Sequence, residues 1–321
     1  MSDGAAAQPS TVVRAVFFGS GSFAVPILDA LVNIPGVRVE AVVSAPDRPV
    51  GRRAILTPTP VAARARELGL PLLQPVRVRR PEAVEALAAV APDLIILADY
   101  GQLIARVLLD LPPRGFLNLH PSALPRHRGA APIPATILAG DAESAVSLIV
   151  VTEEMDAGPI VAAEPLEVRP DDTAVTLEER AAGAAARLLV CALPEWLAGR
   201  LQATPQALEG VTLTRPLRRE DGLLDPGRSA IELERQVRAY QPWPGSYIKG
   251  IKTGDERLIV WKAHVAPAVV GDVAGRFVTT SDGGLAMATG EERLVLEGVQ
   301  LAGGRKITGA ELLRGRPALV G

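Results

Sequence analysis

The sequence predicts a protein in two parts, an α/β part followed by a smaller β part, and three observations lead there. Short apolar runs alternate with amphipathic stretches from Val12 to Val151, the pattern of a mostly parallel sheet covered by helices. Thr176–Ala198, rich in Ala, Leu and Glu, reads as one long helix closing that part, and Gln202–Arg219 after it shows no clear periodicity. Beyond Trp243, short β-like runs are punctuated by Gly, Asp and Thr, a spacing that suits a small OB-like β-barrel. A chain of 321 residues suits about two domains. The expected division is a disordered tail over 1–10, an α/β domain over 11–202, a linker over 203–218 and the β domain over 219–321.

The elements follow in order. Val12–Gly19 is an apolar run ending in glycines, expected as a buried strand, with a helix over Phe23–Val32. Val37–Ser44 is a second strand, Val61–Leu68 a helix and Pro71–Gln74 a short strand. Pro81–Val90 is helical and Asp93–Ala98 a strand. Arg114–His120 and Ser147–Val151 are further strands, with Ala130–Ala139 helical between them. In the second part Ser229–Ala239 is a helix, and Leu258–Ala263, Gly275–Thr279, Gly284–Ala288 and Leu294–Val299 are strands.

Composition excludes several classes. No uninterrupted apolar stretch reaches the roughly 18 residues of a membrane span, so no membrane association is expected. The opening residues lack the basic and apolar regions of a signal peptide, and a cytoplasmic enzyme is expected. A single cysteine, Cys191, rules out an intrachain disulfide and a cysteine-based metal cluster; the three histidines have no metal-ligand spacing, so no metal is expected. A net charge of −2 argues against a basic-tail nucleic-acid binder but permits a local basic patch. The four lysines, Lys249, Lys252, Lys262 and Lys306, all lie in the last third.

Three motifs bear on chemistry. Gly19-Ser20-Gly21-Ser22-Phe23-Ala24 matches a dinucleotide-binding glycine turn, with Glu40 at the expected distance. A ribose-binding carboxylate belongs at the carboxyl end of the second strand, which Ser44 occupies, so the turn is read as a tight strand–helix connection and no NAD is expected. Asp47-Arg48-Pro49-Val50-Gly51-Arg52-Arg53 is an exposed basic loop, either simply solvated or suited to phosphate. Asn118 and His120, two apart on a strand, share a face, and Asp156, 36 residues after His120, can orient or charge the imidazole. Such a set polarises a carbonyl and moves a proton but holds no good nucleophile, which suits transfer of an acyl or formyl group to an amine that attacks directly.

The run from Asn118 to Ile133, with Asn-x-His, then Ser-x-Leu-Pro and Gly129, and Asp156 downstream, resembles the folate-dependent formyltransferases. The Asp-Arg-Pro-x-Gly-Arg loop, Arg-Gly-Ala-Ala-Pro-Ile, and Gln241–Tyr247 with Val260–Ala263 are similar to the branch acting on methionyl-tRNA. The resemblance spans about residues 13–317 and implies a Rossmann-like formyltransferase domain followed by an OB-like tRNA-binding domain. It implies transfer of the formyl group of 10-formyltetrahydrofolate to the amine of methionyl initiator tRNA by a monomer. Asn118 and His120 would stabilise the oxyanion, and Asp156 would hold His120 and help move the proton. Leu97, Ala98, Tyr100, Gly101, Ser122, Leu124, Pro125, Val151, Thr152 and Met155 are the implied folate contacts. Arg48, Arg52, Arg53, Lys249, Lys262, Arg305 and Lys306 are the expected tRNA contacts. Asp99 and His127 depart from the family pattern, and the basic loop is about one residue shorter than usual. A formyltransferase for a small amine, a nicotinamide oxidoreductase and a non-catalytic tRNA binder are the rival readings.

Overall fold

The computed structural model describes residues 12–51, 53–249 and 256–320, and the chain forms two compact units. The expected tRNA contact Arg52 lies outside the described residues, as does Lys252.

In chain order, β1 (Val13–Gly19) leads through a single 3-10 turn into α1 (Val25–Val32) and β2 (Val37–Val43), then into a hairpin of β3 (Arg48–Val50) and β4 (Ile55–Thr57). Next come α2 (Pro60–Glu67), β5 (Leu72–Leu73), α3 (Pro81–Val90), β6 (Leu94–Ala98), α4 (Arg106–Leu109), β7 (Phe116–His120), β8 (Arg128–Gly129) and α5 (Pro132–Ala139). β9 (Glu143–Val150), β10 (Ile160–Glu167), α6 (Ala174–Leu197) and β11 (Leu213–Thr214) complete this stretch.

The first unit contains the chain up to Ala130, Glu143–Glu167 and Glu178–Leu213. Its sheet has the order β10-β9-β7-β6-β1-β2-β5, parallel from β7 to β5 and antiparallel at β9 and β10. β1 and β6 lie inside the sheet, which is why both read as near-continuous apolar runs. Val16, Phe18, Val43, Ile95 and Phe116 pack one core with Leu87 of α3. β10 is an edge strand, and an edge tolerates Pro165, which has no ladder N–H to give. The strand order reverses at β1, with β2 and β5 added on one side and β6 and β7 on the other, so the crevice at the carboxyl ends of β1 and β6 is where ligands of such sheets bind.

The second unit contains Ala131–Ala142, Val168–Leu177 and the chain from Thr214. α7 (Ala230–Ala239) and α8 (Gly309–Gly315) accompany β12 (Ser246–Lys249), β13 (Arg257–Ala266), β14 (Phe277–Thr279), β15 (Leu285–Ala288), β16 (Arg293–Leu301) and β17 (Lys306–Thr308). These strands form one antiparallel sheet, order β12-β13-β16-β15-β14, with β17 on β16. Register shifts around Lys262 bend β13, as bulges do, and the sheet curls as a partial barrel around Leu233, Val260, Leu285, Leu296 and Leu312. Ser229 with Glu232 and Thr308 with Glu311 form capping boxes that start α7 and α8. α5 packs against α7 within this unit.

The mixed α/β sheet and the curled antiparallel sheet agree with the sequence reading, and α3 has the expected bounds. The stretch read as a basic loop is instead the β3–β4 hairpin, whose six residues are all exposed and so carry no alternation of burial to read. β10 also escaped the sequence reading, because Glu164, Pro165 and Glu167 break its apolar pattern.

Candidate active site

β7 is buried throughout, and its alternation points Asn118 and His120 to the same side near its carboxyl end. Asp156 sits in the turn after β9, with a left-handed φ of 51°. Asp tolerates that conformation better than most residues, but it still needs support from its surroundings. Asp156 Oδ1 accepts from Asn118 Nδ2 at 3.2 Å, and Oδ2 accepts from the Gly129 N–H at 2.8 Å. His120 Nδ1 lies 3.6 Å from Asp156 Oδ2, with the imidazole 6% and the carboxylate 15% exposed. The three expected residues are therefore together.

Two main-chain groups join them that the sequence reading did not name. His120 Nε2 lies 3.0 Å from the His127 carbonyl oxygen. A carbonyl only accepts, so this contact puts a proton on Nε2 and turns Nδ1 towards Asp156. His127, singled out for its side chain, contributes its backbone; the Gly129 N–H is the second such group. Asn118 Oδ1 is buried with no hydrogen-bond partner among the described residues, and so is the Tyr100 hydroxyl. Buried polar atoms normally find a partner, so these two orphans suit a ligand bearing its own donors and acceptors. Burial drives the Tyr100 phenol well above its usual range, which keeps it a neutral donor.

The expected folate contacts fall into three groups. Leu97 and Ala98 end β6, and Tyr100 and Gly101 follow it; Tyr100 packs edge-on against Phe18. Ser122, Leu124 and Pro125 lie in the turn after β7, where Ser122 Oγ donates to the Arg126 carbonyl at 2.8 Å. Val151, Thr152 and Met155 lie between β9 and Asp156; the Val151 N–H donates to the Phe116 carbonyl, and Met155 is half exposed.

Tyr100 and Gly101 line a cavity of about 780 Å³ together with Arg48, Arg77, Arg79 and Gln102. No carboxylate among the described residues lines it. Arg66 is paired with Asp47, and Arg64 with Asp29, whereas the guanidinium groups of Arg48, Arg77 and Arg79 meet no acid among the described residues. Arg77 and Arg79 were missed because they fall in an irregular stretch before α3. Arg53 is exposed in the hairpin turn. In the second unit Lys249 and Arg305 are exposed, Lys262 pairs with Glu297 at 2.7 Å, and Lys306 Nζ stands 3.7 Å over the Trp261 ring.

The glycine turn is closed. The N–H groups of Ser20 and Gly21 donate to the Asp99 carbonyl, and Ser20 Oγ accepts from Ala45 N and donates to the Tyr100 carbonyl. Glu40 is held by Arg14 at 3.3 Å and Arg38 at 2.5 Å. Asp99, at a left-handed φ of 44°, is exposed as a residue, yet its carboxyl lies so close over Gly21 that a Cβ there would stand 1.7 Å from Oδ2. Burial of that carboxyl and then the neighbouring Glu178 push its pKa up to about 6.

Residues 13–193 match the formyl transferase family model, and residues 216–317 match the model of the formyl transferase C-terminal domain. Fold and sequence thus define a formyl transferase. The chain belongs within that class to the methionyl-tRNA formyltransferase family. The protein of that name from Halorhodospira halophila is 43% identical over 96% of this chain and 98% of its own length. The one from Thermus thermophilus is 42% identical over 94% of this chain and 96% of its own. Among solved structures, an N-formyltransferase from Helicobacter canadensis in complex with folinic acid and dTDP-3-aminofucose shares the fold at a TM-score of 0.64 and 14% identity, over 88% of this chain and 98% of that one. HypX from Aquifex aeolicus in complex with tetrahydrofolic acid superposes at a TM-score of 0.60 and 17% identity, over 94% of this chain and 47% of that one.

Proposed function

We propose that this protein transfers the formyl group of 10-formyltetrahydrofolate to the α-amine of methionyl initiator tRNA. One observation carries the chemistry: Asn118 and His120 converge on the partly buried Asp156 carboxylate, with an Asn118 oxygen beside it that has no partner among the described residues. The folate supplies an activated formyl carbon, and the charged tRNA supplies the amine that attacks it. The Asn118 N–H not used by Asp156 donates to the oxygen on which negative charge develops. When the formyl group binds, the His120 Nε2–H turns from the His127 carbonyl to the same oxygen, while Nδ1 keeps facing Asp156 across the 3.6 Å gap. Between them His120 and Asp156 take up the proton that the attacking amine loses and return it to the leaving nitrogen.

In this reading residues 11–202 form the catalytic domain, 203–218 a linker and 219–321 the tRNA-binding domain. Arg48 and Arg53 of the hairpin, together with Arg52 and with Arg77 and Arg79 at the cavity, meet phosphates of the acceptor arm. Lys249, Lys262, Arg305 and Lys306 meet phosphates elsewhere on the tRNA. The protein acts as a cytoplasmic monomer without metal or NAD. The test is incubation with 10-formyltetrahydrofolate and charged initiator or elongator methionyl-tRNA, measuring formylmethionine. Transfer selective for the initiator supports the reading. Folate binding with transfer to neither tRNA would instead point to a small-amine acceptor.

A further inference from the structure

The stretch read from sequence as an irregular linker touches both loops of the candidate site. Thr204 and Ile160 exchange both main-chain hydrogen bonds at 2.8 Å, which fixes the start of this stretch to the edge strand β10. Gln206 then reaches into the turn that carries Asp156. Its Nε2 donates to the Asp156 and Gly158 carbonyls, each at 2.8 Å, and its Oε1 accepts from Arg128 Nε at 3.0 Å. Carbonyls only accept and a guanidinium only donates, so the amide has one allowed orientation. Further on, Thr212 takes hold of the other loop. Its Oγ1 accepts from the His127 N–H at 2.7 Å, and its carbonyl accepts from the Arg128 N–H at 3.0 Å.

These anchors sit one bond away from the candidate chemistry. The His127 carbonyl contacts His120, and the Gly129 N–H contacts Asp156. The left-handed backbone at Asp156 needs restraint, and Gln206 supplies it through the main-chain carbonyl while Asn118 and the Gly129 N–H hold the carboxylate. Gly158 closes the same turn against the end of β9, where a Cβ would stand 1.7 Å from the Val150 carbonyl oxygen. Nothing in Gln206 itself touches Asn118 or His120 among the described hydrogen bonds.

We infer that residues 204–212 are a strap that positions the catalytic loops, and that Gln206 is a positioning residue acting through Asp156. This inference rests on the role proposed above for Asp156. Gln206→Glu is nearly isosteric and keeps the bond from Arg128, but turns a carboxylate oxygen towards two carbonyls. Gln206→Met removes the donors without adding charge and serves if the Glu variant does not fold. Each is made alone and combined with Asp156→Asn, and the full-length proteins are compared by kcat, by KM for both substrates and by Tm. A misplacement of this kind should lower kcat by about tenfold to a hundredfold. KM values and Tm should stay near those of the parent, and in the Asp156→Asn background the Gln206 change should cost no further activity. Equal fold losses in both backgrounds would overturn the inference, as would an unchanged kcat in the parent background. If Asp156→Asn alone leaves kcat unchanged, the assignment of Asp156 itself fails, and that failure is distinct from additive losses.

Discussion

Two turns of the same unit, the glycine turn after β1 and the turn after β9 that brings Asp156 to Asn118, differ in how their polar groups are used. In the glycine turn after β1, both N–H groups and the Ser20 hydroxyl are engaged by neighbouring backbone, and Glu40 is occupied by two arginines. Around Asn118, the chain keeps a buried oxygen without a hydrogen-bond partner among the described residues and places an aspartate in left-handed backbone. The first turn carries the better-known motif, and the second carries the unsatisfied chemistry. Polar groups left over after folding, more than a matching string of glycines, mark where a ligand belongs.

That contrast can be broken experimentally. The largest effect is expected at the second turn. Asn118→Ala should cost roughly 2.7–4 kcal/mol of transition-state stabilisation, and Asp156→Asn should lower turnover by about 10²–10⁴-fold, with tRNA affinity almost unchanged in both. Steady-state kinetics beside a direct tRNA binding assay separate the two. An equal loss of tRNA affinity in both variants would make the cluster a binding element. At the first turn the effect should fall on stability. A Cβ on Gly19 would stand 2.8 Å from Phe17 Cε1 and 2.9 Å from the Ala24 Cβ, so Gly19→Ala should cost about 1–3 kcal/mol in denaturant unfolding. A Gly19→Ala protein of parental stability would show that the turn is not the closed structural element described.

Smaller effects sharpen the picture. Reversing charge with Arg48→Glu or Arg77→Glu should weaken tRNA binding and lower the slope of log affinity against log salt by about one per residue. An unchanged slope would remove the cavity from the tRNA path. The smallest effect concerns Asp99, whose carboxyl titrates near 6 rather than at 3.8. The folded protein binds that proton more tightly than the unfolded chain, so ionisation costs stability. The contribution is fully present below pH 3.8 and is lost as pH rises through about 6. Asp99→Asn should therefore melt above the parent at pH 7 to 8, with the gap closing towards about pH 4. A gap independent of pH would contradict the burial of that carboxyl.

Legibility in the sequence followed the range of the interactions. β1 and β6 were readable because strands inside a sheet are apolar on both faces, and Asn118 with His120 because a two-residue spacing on a strand fixes their common side. The β3–β4 hairpin was not, since residues exposed on all sides leave no periodic trace. Gln206 was not legible either, because its partners Asp156 and Gly158 lie 50 and 48 residues away and its neighbours form no repeating pattern. The same holds for the His127 carbonyl, which any residue could supply, and the Gly129 N–H, which any residue but proline could supply; only the path of the chain makes them part of the site.

The second unit draws α5 and Val168–Leu177 from the middle of the chain, although most of it lies beyond Thr214. The C-terminal half is therefore not a detachable cassette. A fragment ending at residue 202 would retain α5 but lose α7, the helix it packs on. Such a fragment should be sticky and poorly soluble, and a second half grafted from another protein would have to inherit α5 along with its own strands.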